Sequence, residues 1–126
     1  MPIPDKIEIP YVDLQVEKGI LYCVFSDNLQ VNLEIAMHCV KKRIEISNNT
    51  SYPCLIDMGG IKSVDSDARS YMATEGAKLM KAGALITNSF YTKMMGNIFL
   101  AINKPKIPVR LFSDRAVAIK WLKQYL

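Results

Sequence analysis

Polar side chains concentrate in one stretch of this sequence, between a short apolar segment and the start of a helical pattern. In open α/β sheets, ligands and partners meet the carboxyl ends of strands, where helix N-terminal N–H groups are also exposed. We therefore predict an interaction surface here, with a solvated, well-capped turn as the alternative. The candidate residues are Asp57, Gly59, Gly60, Lys62, Ser63, Asp65, Ser66, Asp67 and Arg69.

An enzyme site in this stretch would combine Asp57 with Asp65 or Asp67 near basic residues. Paired carboxylates catalyse reactions only in a cleft that perturbs their pKa, and a sequence does not reveal a cleft. The sequence also contains no HExxH, GxSxG, GxGxxG or P-loop motif. We predict a protein that is not an enzyme and has no cofactor or metal site.

The single histidine and the three cysteines give no sign of a metal centre. His38 shares a helix face with Glu34 and Lys41, which is typical of a solvated histidine. The cysteines are Cys23, Cys39 and Cys54, an odd number with wide spacing and no Cys-x-x-Cys pair. This pattern predicts reduced, mostly buried thiols instead of disulfides or a zinc site.

Composition predicts one folded, cytoplasmic domain over residues 1–126. Half of the residues are hydrophobic and 22% are charged, which is too apolar for disorder. No segment approaches the roughly 18 consecutive apolar residues of a transmembrane helix, and residues 1–6 lack the features of a secretory signal.

The net charge of +4 raises the question of a nucleic-acid partner. Apart from Lys41-Lys42-Arg43, the basic residues are spread singly among acidic ones and are not interleaved with aromatics. We therefore expect no nucleic-acid binding.

Apolar spacing alternates between periods near 2 and near 3.6, which predicts alternating strands and helices. A hairpin is predicted first, with Lys18-Gly19 as its turn and Ile20 to Phe25 as its second strand. Alternation along its first strand involves Ile7, Ile9, Val12, Leu14 and Val16.

The remaining chain predicts helices against a mostly parallel mixed sheet of four or five strands. Asn32 should cap a first helix that ends near Ser47, with Leu33, Ala36, Met37, Val40 and Ile44 as its apolar stripe. Three further strands are predicted at residues 54–56, 84–87 and 107–112. Asp65 or Ser66 should cap a second helix running to about Lys81 and closed by Gly83, and Ser113 should cap the last helix.

A third helix, from Tyr91 to Ile102, carries more apolar surface than one narrow stripe. Three kinds of contact could bury this apolar surface: packing within the core, a second copy of the protein in a homodimer, or a small apolar ligand. Its candidate pocket or dimer residues are Tyr91, Met94, Met95, Ile98, Phe99 and Ile102.

Residues 55–68, Leu-Ile-Asp-Met-Gly-Gly-Ile-Lys-Ser-Val-Asp-Ser-Asp-Ala, resemble the signature of STAS domains. This family includes anti-sigma factor antagonists such as SpoIIAA. The segment from Pro108 to Asp114, followed by Trp121-Leu122, is similar to small uncharacterised bacterial proteins with a SpoIIAA-like fold. The resemblance implies that fold and a regulatory module that binds an unknown protein partner. The related CRAL-TRIO fold suggests a lipid or other small apolar ligand instead.

One departure from the STAS signature concerns phosphorylation. The resemblance places the usual phosphorylated hydroxyl at position 67, where this chain has aspartate, and the usual glycine at position 68, where it has alanine. Asp67 therefore supplies a permanent negative charge at the helix start, and Ser63 or Ser66 are alternative phosphate acceptors.

Overall fold

A six-stranded mixed sheet forms the centre of the computed structural model, which describes residues 6–8 and 10–126. Within these residues, the strands are β1 (Lys6–Glu8), β2 (Val12–Glu17), β3 (Ile20–Phe25), β4 (Leu29–Val31), β5 (Tyr52–Asp57), β6 (Ile61–Val64), β7 (Met80–Ile86) and β8 (Val109–Phe112). The helices are α1 (Leu33–Ser47), α2 (Ser66–Thr74), α3 (Phe90–Ile98) and α4 (Arg115–Leu122). Strand order in the large sheet is β1-β2-β3-β5-β7-β8.

The sheet confirms the predicted N-terminal hairpin and mostly parallel pairing. Strands β2 and β3 pair antiparallel around Lys18 and Gly19, whose φ angles of 50° and 82° suit a tight hairpin turn. Strands β3, β5, β7 and β8 are parallel.

The sheet has one strand more than the upper prediction because the predicted first strand is two strands. Pro10 cannot donate to a ladder, and Lys6–Glu8 pairs antiparallel with β2. Ile9, which was included in the predicted alternation, lies outside the described residues, as do residues 1–5 of the predicted signal-free N-terminus.

A second, two-stranded sheet was not predicted. Strands β4 and β6 pair parallel, and the backbone N–H of Leu29 donates to the carbonyl of Gly60 at 3.3 Å. Each strand is too short to give a clear alternating pattern. Strand β6 leads through Asp65 into α2 and therefore fixes the start of that helix.

Three helices cover one face of the large sheet and one helix covers the other. Cys39 and Ile46 of α1 pack with Cys54 of β5, on the same face as Ala68 of α2. On the opposite face, Ala118 and Leu122 of α4 pack against the sheet. Among the described residues, no helix has the length and apolar character to cross a membrane.

Helix α1 presents a different inner face from the predicted stripe. Its cap, Asn32, is confirmed by a 2.9 Å bond from the Ile35 N–H to Oδ1. Leu33 and Met37, however, are 38% and 47% exposed. The buried face is Ala36, Cys39, Val40, Arg43, Ile46 and Ser47. The predicted stripe was therefore wrong at Leu33 and Met37, and it left out Cys39, Arg43, Ile46 and Ser47.

Three predicted boundaries after residue 65 are corrected. Helix α2 stops at Thr74 and continues as a 3₁₀ turn, Glu75–Ala77, and Leu79 adopts a left-handed φ of 57° before β7 begins. Gly83 lies inside β7 and does not close a helix. Asp114, and not Ser113, caps α4, accepting from the Ala116 N–H at 2.8 Å.

Candidate functional site

An apolar cavity of about 120 Å³ lies between the sheet and helices α1, α2 and α3. Its sheet wall includes Ile56, Gly83 and Val109 from three neighbouring strands. Ile56 belongs to an interior strand and is still only half-buried. Among the described residues, the lining is apolar or glycine apart from two arginines and two cysteines.

Arg43 is the most deeply buried charged residue on the cavity wall, with 4% of its surface exposed. Helix α1 places it one turn beyond Cys39 and Val40, which also line the cavity. Its Nη2 donates to the carbonyls of Gly76 at 2.9 Å and Lys78 at 2.7 Å. Its Nη1 is buried and has no hydrogen-bond partner among the described residues.

Arg69 is the second charged residue on the wall, and α2 places it there. Its Nη1 donates to the Val64 carbonyl at 2.8 Å and lies 3.9 Å from the sulfur of Met95. Its Nε is buried and has no hydrogen-bond partner in the part of the chain that the structure describes. Within the described part of the chain, neither Arg43 nor Arg69 forms an ion pair with a carboxylate.

Of the six pocket candidates on the predicted helix from Tyr91 to Ile102, two line the cavity, Met95 and Phe99. Tyr91 and Ile98 are half-buried elsewhere, and Met94 and Ile102 are 41% and 72% exposed. Phe99 opens a π-helical turn, Phe99–Asn103, in which the Lys104 N–H donates to its carbonyl at 3.2 Å. Such turns inside helices are frequent at functional sites.

The predicted polar surface divides into side chains with structural contacts and side chains facing solvent. Asp57 accepts from the Gly59 N–H at 2.9 Å and lies 3.7 Å from Arg115 of α4. Asp65 caps α2 by accepting from the Ala68 N–H at 2.8 Å. Asp57 therefore contacts the turn after β5 and helix α4, whereas Asp65 stabilises the start of α2.

The rest of that surface is arranged as follows. Lys62, Ser66 and Asp67 are exposed, and Ser63 is half-buried. A side chain on Gly60 would collide with the backbone of Asp27, so that glycine is required by close packing. The side chain of Arg69 lines the cavity, so this residue does not belong to the polar surface alone.

The three thiols are free and buried, and Cys23 and Cys39 line the cavity. Burial raises the pKa of Cys39 to about 11 and that of Cys54 to about 12. For Cys54, the positive charge of Arg43 opposes that effect without cancelling it. Thiols with raised pKa values stay protonated near neutral pH and are poor nucleophiles.

Sequence reasoning missed Arg43 as a site residue because it occurs in the basic run Lys41-Lys42-Arg43. Helical spacing was the available signal. Arg43 lies seven residues after Ala36 and four before Ser47, and all three positions fall on the buried face of α1.

Comparisons with known proteins show the family and the fold. Residues 14–126 match the family described as domain of unknown function DUF7793. The structure is similar to the crystal structure of an uncharacterised DUF3478-family protein with a SpoIIAA-like fold from Shewanella loihica PV-4, with a TM-score of 0.62 and 13% identity over 88% of this chain and 91% of that one. The chain therefore has a SpoIIAA-like fold. No curated protein matches the sequence significantly.

Proposed function

The chain belongs to the DUF7793 family, and from that premise we propose that it is a non-catalytic binding module that holds a small, largely apolar molecule in its cavity. The observation that carries this proposal is the cavity itself. Protein interiors are close-packed, so a void of about 120 Å³ leaves wall atoms without contacts. An apolar cavity of about 150 Å³ in another protein binds benzene, and a molecule of similar or smaller size suits this one.

The chemistry of the wall supports binding over catalysis. Its ionisable groups are two arginines and two thiols. Arginine stays protonated in proteins and is a poor general base. Burial raises the pKa of Cys39 to about 11, which keeps that thiol in its unreactive form.

The experiment is a titration with n-pentanol followed by amide NMR of the full chain. Binding in the cavity should shift the amide signals of wall residues such as Leu85 and Met95. Gly83→Val should weaken this binding by about tenfold or more, because its methyl groups enter the cavity and remove apolar contact.

Lys81→Val is the matched control. It introduces the same side chain in the same strand, but at an exposed position outside the cavity. Equal binding by all three proteins would place pentanol elsewhere on the surface and refute the proposal. Native mass spectrometry of freshly purified protein would then be expected to show no retained small molecule.

A second candidate function is regulation of a protein partner through the start of α2. The observation that favours it is that one helix carries both surfaces. Ser66 and Asp67 of α2 are exposed, and Arg69 and Met72 of the same helix line the cavity. A bound molecule would therefore contact the same helix as a partner. Hydrogen exchange of residues 62–72 with and without pentanol tests this, and unchanged protection despite bound pentanol would argue against coupling.

A further inference from the structure

We propose that the molecule held in the cavity is a small monocarboxylic acid, bound through its carboxylate by Arg43 and Arg69. This inference rests on the proposed function and specifies the class of ligand. Its apolar body would lie against the hydrocarbon wall formed by residues such as Ile56 and Val109.

The first argument concerns uncompensated charge. Arg43 is 4% exposed, and in the described part of the chain its contacts are carbonyl oxygens without a carboxylate. Buried charges in proteins are normally paired, because removing an ion from water costs several kcal/mol. The core of this protein therefore contains positive charge that an anion would neutralise.

The second argument concerns unsatisfied donors. Arg43 Nη1 and Arg69 Nε are both buried without a hydrogen-bond partner among the described residues, and both side chains line the same cavity. The carbonyls of Gly76 and Lys78 accept hydrogen bonds from Arg43 Nη2, but they do not use Nη1. A carboxylate has two acceptor oxygens and no donor, so it suits guanidinium donors that lack a partner.

The third argument concerns size. A volume of about 120 Å³ is close to that of an engineered cavity that holds benzene, so the apolar body has about four carbon atoms. A long acyl chain would not fit inside. Pentanoate, with a four-carbon tail beyond its carboxylate, is the probe we choose.

The test compares pentanoate with pentanamide, a neutral molecule of nearly the same shape, by calorimetry at about pH 7, where carboxylic acids are ionised. Charge-assisted hydrogen bonds should make pentanoate bind about tenfold or more tightly than pentanamide. Arg69→Gln should remove most of that preference.

A second variant addresses Arg43, whose burial makes loss of its charge a risk to folding. Arg43→Lys keeps the positive charge but removes the Nη1 donor, and should also reduce the preference for pentanoate. Circular dichroism of each variant confirms that the fold is retained. Lys62→Gln, which removes an exposed cation outside the cavity, is the control and should leave the preference unchanged.

The outcomes separate this inference from the proposed function. If pentanol binds in the cavity but pentanoate binds no tighter than pentanamide, the binding module stands and the carboxylate site is overturned. If neither pentanol nor pentanoate binds, both proposals fail. A pentanoate preference that survives Arg69→Gln and Arg43→Lys would also overturn the assignment to these two arginines.

Discussion

The buried thiols reflect how apolar the core is on the cavity side of the sheet. Burial is the largest influence on the pKa of Cys39 and Cys54, which rises from 9.0 to about 11 and about 12. At Cys54 the charge of Arg43 acts in the opposite direction, yet desolvation wins. Both thiols therefore remain protonated in the folded protein at pH values where they ionise in the unfolded chain.

This difference predicts a loss of stability in alkaline solution. Above about pH 9 the unfolded chain releases the Cys39 proton while the folded protein retains it up to about pH 11, so the free energy of unfolding falls as pH rises through that window. Urea unfolding at about pH 8 and about pH 10.5 measures the fall. Cys39→Ala should lose less stability over the same interval. Equal losses in the two proteins would contradict the raised pKa of Cys39.

At the scale of single elements, α2 depends on its cap. Asp65 accepts from the Ala68 N–H at 2.8 Å, and the helix carries the wall residues Arg69 and Met72. Asp65→Ala should lower the free energy of unfolding by about 1 kcal/mol because an N-terminal donor loses its partner. Ser66→Ala, at the next and exposed position, should change it by less than about 0.5 kcal/mol. Urea unfolding distinguishes the two, and equal effects would rule out the cap.

The loop between β3 and β4 packs closely against Gly60, which leaves no room for a side chain at that position. A Cβ atom on Gly60 would lie 2.8 Å from the Asp27 backbone nitrogen and would also collide with its Cα. Gly60→Ala should therefore lower the free energy of unfolding by roughly 1–3 kcal/mol. Gly76→Ala is the comparison, since its Cβ meets Met72 and Val40 at ordinary distances of 3.5 and 3.6 Å. Thermal unfolding that shows similar midpoints for both variants would refute the collision.

Elements whose signals are local were predictable from the sequence. The Lys18-Gly19 hairpin and the caps Asn32 and Asp65 depend on residues within a few positions of one another. Leu79, between the 3₁₀ turn and β7, has a left-handed conformation that this residue type rarely adopts, so no sequence pattern indicated it. The small sheet depends on pairing between segments about thirty residues apart, which a three-residue pattern cannot encode.

At the scale of the whole molecule, the fold was predictable and the site only partly. Apolar excess on the helix after residue 90 left three kinds of contact open, of which a ligand pocket was one, and Met95 and Phe99 do line a cavity. The other walls come from the sheet and from α1 and α2, so the cavity exists only once these layers pack. Arg43 was missed because it stands in a basic run, and its helical spacing from Ala36 and Ser47 was not used.

The void beside Gly83 also has a mechanical consequence. Hydrostatic pressure favours the state of smaller volume, and unfolding eliminates internal voids, typically with a volume change of about −20 to −100 mL/mol. Gly83→Val fills part of the cavity, so it should unfold at a higher pressure than the native chain, whereas Ala116→Val on the exposed side of α4 should not. The fluorescence of Trp121, packed between Phe112 and Tyr125, follows the transition. Identical midpoint pressures would mean that the cavity is already filled with water. Filling the cavity would therefore make this small domain less sensitive to pressure.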